Sequence, residues 1–151
     1  IYDIGGGFIK PVKALQIGGP LGGVIPIKEV EKLNLDFQEF TKAGFMLGHG
    51  GIVSIPEDFN MIKYIHHLFK FSAEESCGKC FPGRLGSYRG KEMFDQAVNK
   101  TNKIPIKLLN ELLITMQKGS LCALCGAIPL PIQNILKYFT DEFKTDINQE
   151  A

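Results

Sequence analysis

The sequence MIKYIHHLFKFSAEESCGKC, residues 61–80, carries two signals in one stretch, a helical apolar pattern and a pair of cysteines. From Met61 to Phe69 the apolar residues recur at the i, i+3, i+4 and i+7 spacing of one helix face. A proline and two acidic residues at 56–58 are residue types that favour a helix start. The stretch therefore predicts an amphipathic helix that ends near Ser72 and leads into a Cys-x2-Cys turn.

Three further amphipathic stretches follow this helix. One covers residues 86–100, one follows Pro105, and the last begins at Pro131 and gives way to a polar tail from Asp146. Four helices of roughly ten to sixteen residues with short connections predict a four-helix bundle. The apolar positions that support the later three helices are Tyr88, Phe94, Ala97, Val98, Leu108, Leu109, Leu112, Leu113, Met116, Ile132, Ile135, Leu136, Phe139 and Phe143.

The first third of the chain has a different composition and holds 11 of the 17 glycines. Residues 12–17 predict a β-strand, the glycine-rich residues 18–23 a turn, and residues 24–27 a second apolar stretch. So short a β-rich segment cannot bury a core of its own and must pack on other structure. We predict an α+β, mainly α fold, in which residues 1–40 end a small β module and residues 41–151 form the helical domain.

The overall composition excludes two classes of protein. The 151 residues include 17 basic and 16 acidic side chains, so the chain lacks the positive charge of a dedicated nucleic-acid binder. The longest apolar runs fall well short of the roughly 20 residues of a membrane span. The chain starts at Ile1 without a signal-peptide pattern, and we expect a cytoplasmic protein whose sequence begins inside a larger one.

Four cysteines form two Cys-x2-Cys pairs, Cys77 with Cys80 and Cys122 with Cys125. Each pair lies in the connection before an even-numbered helix, and in an up-and-down bundle those connections share one end. The two pairs are therefore predicted to meet and to offer four thiolates, a donor set that suits zinc and iron-sulfur clusters alike. A redox disulfide and four buried, reduced thiols are the alternatives.

The histidines and glycine clusters are interpreted as structural. His49 stands among glycines before the strand-like residues 52–55, and His66 and His67 lie within the first long helix. None of them has a carboxylate and a second ligand at coordinating spacing. The glycine clusters lack the Gly-Lys-Ser/Thr ending of a phosphate-binding loop and predict turns.

The cysteine motifs carry a family resemblance. Residues 75–80, ESCGKC, with Pro82, Arg84 and Gly86 after them and residues 120–122, SLC, about forty residues on, resemble the cluster-binding C-terminal part of the NADH-binding flavoprotein subunit of respiratory complex I and its relatives. The stretches most similar to one relative, the β subunit of NAD-dependent formate dehydrogenases, are residues 47–53, 87–90 and 119–124. Residues 18–23 resemble the end of the SLBB β-grasp module that precedes the cluster domain in this family.

The resemblance implies a role in electron transfer. In that family a [4Fe-4S] cluster exchanges single electrons with FMN, which is bound with NAD in a preceding domain. The expected partners are that N-terminal FMN and NADH domain, a small [2Fe-2S] subunit and other subunits of the complex. The chain itself has no hydride site, so we expect it to be inactive alone as an NAD-dependent oxidoreductase.

The ligand set departs from the family pattern at two positions. The resemblance places a third cysteine three residues beyond Cys80, where this chain has Gly83, and it places a glycine at position 125, where the chain has cysteine. Cys77, Cys80 and Cys122 correspond directly to family ligands. Our hypothesis is that Cys125 replaces the ligand missing at Gly83 and restores four thiolates.

Several other outcomes stay open at this point. The site could hold a three-cysteine [3Fe-4S] cluster, a labile [4Fe-4S] cluster with an outside ligand, zinc, or nothing. In the zinc case the domain would be a non-catalytic interaction module stabilised by a four-thiolate ion. An apo scaffold with spare thiols is the remaining alternative.

Overall fold

The structure is a computed structural model that describes residues 1–148. Helices dominate over a small amount of sheet, which confirms the α+β, mainly α class. In chain order the elements are β1 (Val12–Ile17), β2 (Gly23–Pro26), α1 (Ile27–Val30), α2 (Phe37–Lys42), β3 (Ile52–Pro56), α3 (Met61–Glu75), α4 (Phe81–Val98), β4 (Ile104–Pro105), α5 (Ile106–Gly119), α6 (Ala123–Ala127), α7 (Pro129–Tyr138), a 3-10 helix (Thr140–Phe143) and β5 (Ile147–Asn148).

A three-stranded antiparallel sheet with the order β2-β1-β3 forms the first part of the fold. Gly18 and Gly19 have φ angles of 95° and 82°, a conformation that favours glycine and turns the chain from β1 into β2. The strands predicted at residues 12–17 and 52–55 are confirmed, and β2 covers all but the last residue of the apolar stretch 24–27, because Ile27 begins α1. The sheet contains strands from both predicted domains, since β1 and β2 precede residue 40 and β3 follows it. The domain boundary between residues 40 and 41 stays a prediction.

The sheet is packed between two groups of side chains. In β1, Ala14 faces the large core shared by the long helices, whereas Leu15 and Ile17 face a second core beneath α2. Gln16 is buried as well, and its Oε1 accepts a hydrogen bond from the Tyr64 hydroxyl at 2.6 Å. The β-rich segment therefore completes its core with residues of the helical part, as its short length requires.

Buried polar contacts join the sheet to the last long helix. Asn134 in α7 accepts a hydrogen bond from the Val24 amide at 3.3 Å and donates one to the Gly44 carbonyl at 3.1 Å. Glu142 pairs with Lys13 of β1 and also accepts a hydrogen bond from the Met61 amide at the start of α3. These contacts hold the two ends of the described chain against each other.

The four longest helices correspond to the predicted ones with shifted ends. The predicted start near residue 57 is wrong, because Asn60 Oδ1 caps the Lys63 amide and α3 begins at Met61. The first helix continues to Glu75, the second begins at Phe81 rather than residue 86, and the fourth begins at Pro129 rather than Pro131. The short helices α1, α2 and α6 were not predicted.

Helix α4 lies between α3 and α5 and carries small residues where it touches them. A Cβ at Gly90 would lie 2.1 Å from Phe69 Cε1 of α3, and a Cβ at Gly86 would lie 2.7 Å from Met116 Cγ of α5. Glycine at these positions lets the neighbouring side chains pack onto the α4 backbone. The packing fixes the N-terminal end of α4, where the first cysteine pair lies.

The long helices share one apolar core, and the bundle and β-grasp assignments stay predictions. Within residues 1–148, no helix combines the length and the apolar character needed to cross a membrane.

Candidate metal centre

The four cysteines lie in two segments, residues 76–80 between α3 and α4 and residues 120–125 after α5, which we call the first and second loops although the second includes the start of α6. Cys77 and Cys80 lie between α3 and α4, and Cys80 is the residue that precedes the first turn of α4. Cys122 holds the equivalent place before α6, and Cys125 lies within α6. All four are free thiols; Cys77 and Cys122 are exposed, Cys80 is half-buried and Cys125 is buried.

The two loops approach each other around Cys80. The backbone amides of Leu121 and Gly83 lower the pKa of the Cys80 thiol, because both hydrogen bonds favour the thiolate. Leu121 belongs to the second loop, so this hydrogen bond crosses from one cysteine pair to the other. The predicted approach of the two loops is thus found at Cys80.

The thiols of Cys80 and Cys125, which we call the inner thiols, come together at Gly83. A Cβ placed on this residue would lie 3.0 Å from Cys80 Sγ and 3.1 Å from Cys125 Sγ. Both sulfur atoms therefore pack against the Gly83 backbone, one from each loop. The thiol of Cys125 thus lies next to the residue at which the family resemblance expects a third ligand.

Cys77 and Cys122, which we call the outer thiols, are both exposed. Within the part of the chain that the structure describes, no three Cys, His, Asp or Glu side chains are grouped closely enough to hold one metal ion. Gly78, with a φ of 70°, turns the backbone between Cys77 and Cys80. The structure thus brings Cys80 and Cys125 together at Gly83 and leaves Cys77 and Cys122 exposed on the outer side of the loops.

Three serine hydroxyls lie around the inner thiols, and sequence reasoning did not single them out as site residues. Ser72 Oγ is 3.8 Å and Ser76 Oγ is 3.9 Å from Cys125 Sγ. Ser120 Oγ is buried without a partner at normal hydrogen-bond length within residues 1–148, and it makes a small contribution to the lowered pKa of Cys80. The available signal was Ser72 itself, a polar residue on the buried face of α3.

Basic and apolar side chains lie beside the loops. The Arg84 guanidinium lies 5.1 Å from the centre of the Phe81 ring, and Arg84 Cδ would lie 3.6 Å from a Cβ at Gly78. The positive charge of Arg84 therefore lies over the first loop, where it can offset the charge of thiolates. Phe81 and Leu121 are largely exposed beside the cysteines.

The donor set and its surroundings fit an iron-sulfur cluster. Four thiols are available from two adjoining loops, and a half-buried thiol already has amide donors that favour its charged form. The buried Ser120 hydroxyl, beside Leu121, has no hydrogen-bond partner within residues 1–148. Such an arrangement can hold a thiolate-bound centre and exclude water from its inner side.

The histidines occupy other places in the molecule. His66 Nε2 lies 2.6 Å from Asp95 Oδ1, and Lys91 Nζ donates to Asp95 Oδ2 at 2.8 Å. The Lys91 hydrogen bond is the main cause that lowers the pKa of the Asp95 carboxyl. His49 Nδ1 accepts a hydrogen bond from the Gly51 amide in the glycine-rich turn. The contacts of His66 and His49 agree with their predicted structural roles.

Comparison with known proteins identifies the relatives. The chain is 31% identical over 153 residues to the NADP-reducing hydrogenase subunit HndC of Solidesulfovibrio fructosivorans, covering 99% of this chain and 31% of that protein. It is 32% identical over 137 residues to the F-type subunit of the NADH-quinone oxidoreductase of Rickettsia bellii, covering 90% of this chain and 33% of the relative. The chain thus spans about a third of the length of these curated relatives.

A solved structure shares the fold. The crystal structure of an NAD+-reducing [NiFe]-hydrogenase in the H2-reduced state matches with a TM-score of 0.80 and 20% sequence identity. The match covers 93% of this chain and 24% of the hydrogenase chain.

The profile of the family described as the NADH-ubiquinone oxidoreductase-F iron-sulfur binding region matches residues 63–146, which contain both cysteine pairs. The chain belongs to this family.

Proposed function

We propose that this chain relays single electrons within an NAD-linked oxidoreductase complex, through a [4Fe-4S] cluster held by Cys77, Cys80, Cys122 and Cys125. Membership of the iron-sulfur binding family supports the class of cofactor. The observation that carries the ligand assignment is the packing of Cys80 Sγ and Cys125 Sγ against Gly83. When bound, the cluster supplies a site that accepts and releases one electron at a time.

Cys125 replaces the missing third ligand by occupying its space. A side chain at position 83 would begin 3.1 Å from Cys125 Sγ, so a thiol at either position reaches the same region beside Cys80. Gly83 leaves that region free because it has no side chain. The two departures from the family pattern are therefore a single exchange, in which one ligand has moved from α4 to α6.

The protein around the thiols holds and shields them. Cys80 is oriented by amides of both loops, and Cys125 is held within the apolar core. Burial of the inner thiols on rigid helices limits the rearrangement of protein and water when the charge of the centre changes. The exposed outer thiols, Cys77 and Cys122, lie on the side from which a redox partner can approach.

The proposed partners follow from the relatives. About two thirds of the length of those relatives lies outside the part that matches this chain. Their names describe subunits of an NADP-reducing hydrogenase and of NADH-quinone oxidoreductases. We assign the electron exchange to FMN in an N-terminal FMN and NADH domain and to a [2Fe-2S] subunit of the same complex, in the cytoplasm. The similarity of residues 47–53, 87–90 and 119–124 supports a formate dehydrogenase β type as the narrower proposal.

One anaerobic preparation tests the cofactor. We expect about four iron atoms and four acid-labile sulfides per chain, as a single cubane cluster requires, together with broad visible absorbance and an oxygen-sensitive brown colour. About one zinc per colourless chain would contradict the relay and support the zinc-stabilised interaction module. Chains without metal, whose thermal stability does not change when all four cysteines are replaced, would support the apo scaffold.

The donor type needs a separate measurement. The native complex that contains the chain is purified through an affinity tag on the chain and is assayed for NAD+ reduction with formate and with hydrogen. Reduction with formate supports the formate dehydrogenase type. Reduction with hydrogen alone contradicts that narrower proposal and leaves the electron relay in place.

A further inference from the structure

We propose that Ser72 and Ser120 are positioning residues whose hydroxyls donate hydrogen bonds to the sulfur atoms of Cys125 and Cys80 in the thiolate state, and so raise the reduction potential of the bound cluster. The inference rests on the proposed function. It concerns two side chains that were not part of the ligand assignment, one in α3 and one at the end of α5.

Ser72 is a buried hydroxyl with an unusual partner. Its side chain is fully buried on the face of α3 that otherwise carries apolar residues, and its Oγ lies 3.8 Å from Cys125 Sγ. A neutral thiol is a weak hydrogen-bond acceptor, so a buried hydroxyl gains little from this contact. A thiolate is a much stronger acceptor, since hydrogen bonds to ionised groups are about twice as strong as neutral ones.

Ser120 is a second buried serine near the cysteines. Its Oγ is buried and has no partner at normal hydrogen-bond length within residues 1–148. The next residue, Leu121, directs its backbone amide to the Cys80 thiol, and Ser120 Cβ lies 3.7 Å from a Cβ placed on Gly126, the residue after Cys125. An unsatisfied buried hydroxyl is costly, and a charged sulfur beside it is the group that would satisfy it.

Ser87 shows what an ordinary buried serine does in this protein. It is fully buried in α4, and its hydroxyl donates to the Gly83 carbonyl at 2.7 Å, one turn earlier in the same helix. Ser87 is thus satisfied by the backbone, whereas Ser72 contacts the Cys125 sulfur and Ser120 has no hydrogen-bond partner within residues 1–148. The difference distinguishes a structural serine from serines whose hydroxyls can donate to a cysteine thiolate.

The two hydroxyls have a predictable effect on the potential. Reduction adds negative charge to a thiolate-bound cluster, and part of that charge resides on the cysteine sulfurs. A hydroxyl donor at each inner sulfur stabilises the more negative, reduced form, which raises the reduction potential. Removal of either donor should lower the potential while leaving the ligand count unchanged.

Redox titration of the full chain tests the inference. Wild type, Ser72→Ala, Ser120→Ala and Ser87→Ala are reconstituted anaerobically with iron and sulfide, and the reduced fraction is followed by electron paramagnetic resonance. We expect a lower potential in Ser72→Ala and Ser120→Ala, a larger decrease in the double variant, and an unchanged potential in Ser87→Ala. Ser120→Thr, which keeps a hydroxyl, should restore the wild-type potential.

Unchanged potentials in both alanine variants at full iron content would overturn the inference and leave the relay intact. A wild type without iron and sulfide would remove the proposed function and this inference together. If Ser72→Ala loses its cluster, the near-isosteric pair Ser72→Thr and Ser72→Val decides the question. A cluster kept by threonine and lost by valine supports the hydroxyl donor, and equal behaviour of the two overturns it.

Discussion

The two cysteine loops have the same spacing but different surroundings. Each has an outer, exposed thiol, Cys77 in the first loop and Cys122 in the second. Each also has an inner thiol, and here the loops differ: Cys80 is half-buried before an 18-residue helix, whereas Cys125 is buried inside a five-residue helix. The inner thiols nevertheless meet at the same backbone position, Gly83.

The comparison shows that the fold, rather than position along the chain, decides which thiols lie close together. Sequence comparison along the first loop finds a missing cysteine at position 83, and comparison along the second finds an unexpected one at position 125. In the folded chain the two positions are neighbours, which supports the proposal that the gained thiol compensates for the missing one. A comparison of aligned positions alone would count a defect where the fold supplies a thiol.

The largest expected effect comes from the second loop. Replacing Cys125 with serine should abolish or strongly destabilise the cluster, because only three thiolates then remain. Iron and acid-labile sulfide per chain and the visible spectrum measure the loss, while circular dichroism checks that the fold is kept. A cluster of wild-type content and spectrum in Cys125→Ser would disprove the compensation.

A reciprocal exchange tests the comparison directly. The double variant Gly83→Cys with Cys125→Gly moves the thiol back to α4 and should hold a cluster with most of the wild-type iron and sulfide. Gly83→Cys alone should bind less than the double variant, since its Cβ would lie 3.1 Å from the Sγ of Cys125, which the double variant removes. Metal analysis of the three proteins separates these outcomes, and equal iron in the single and double variants would contradict shared space.

Much of this fold is predictable from sequence because periodicity is a local property. The strand at residues 12–17 and the four long helices were found from alternation and from the helical spacing of apolar residues. Helix ends were less accurate, because the cap at Asn60 and the entry into α4 at Cys80 depend on single side chains and backbone angles. The short helix α6 has too few residues to show a period.

The candidate site was predictable in its residue types and less so in its geometry. The paired spacing of the cysteines identified the donor atoms, and the bundle argument predicted that the two loops would meet. The packing of both inner sulfurs on Gly83 depends on how α4 and α6 are placed, which no local pattern encodes. Ser72 and Ser120 were missed for the same reason, since their significance depends on sulfur atoms distant in sequence.

The helices behind the two loops should tolerate added volume differently. Gly90→Ala places a methyl group 2.1 Å from the buried Phe69 ring and should lower the free energy of unfolding by about 1–3 kcal/mol, the usual cost of overpacking. Gly126→Ala in α6 meets its nearest atom at 3.7 Å and should be neutral or stabilising by up to about 1 kcal/mol. Urea unfolding measures both, and equal effects would contradict the tight α3–α4 contact.

The smallest expected effect comes from the Asp95 carboxylate of α4, which contacts His66 of α3 and Lys91 of its own helix. Asp95, held by Lys91 and His66, has a pKa below its ordinary value of 3.8, so its contribution to stability is present above that pH and is lost as pH falls through the folded-state pKa. Because the carboxylate is 39% exposed, Asp95→Asn should cost at most about 1 kcal/mol at pH 7. Urea unfolding of the metal-free chain should show this cost shrinking below about pH 4, with Glu92→Gln, an exposed neighbour on α4, as the control. An Asp95→Asn cost that grows as the pH falls would show that these two contacts do not stabilise the fold through the ionised carboxylate.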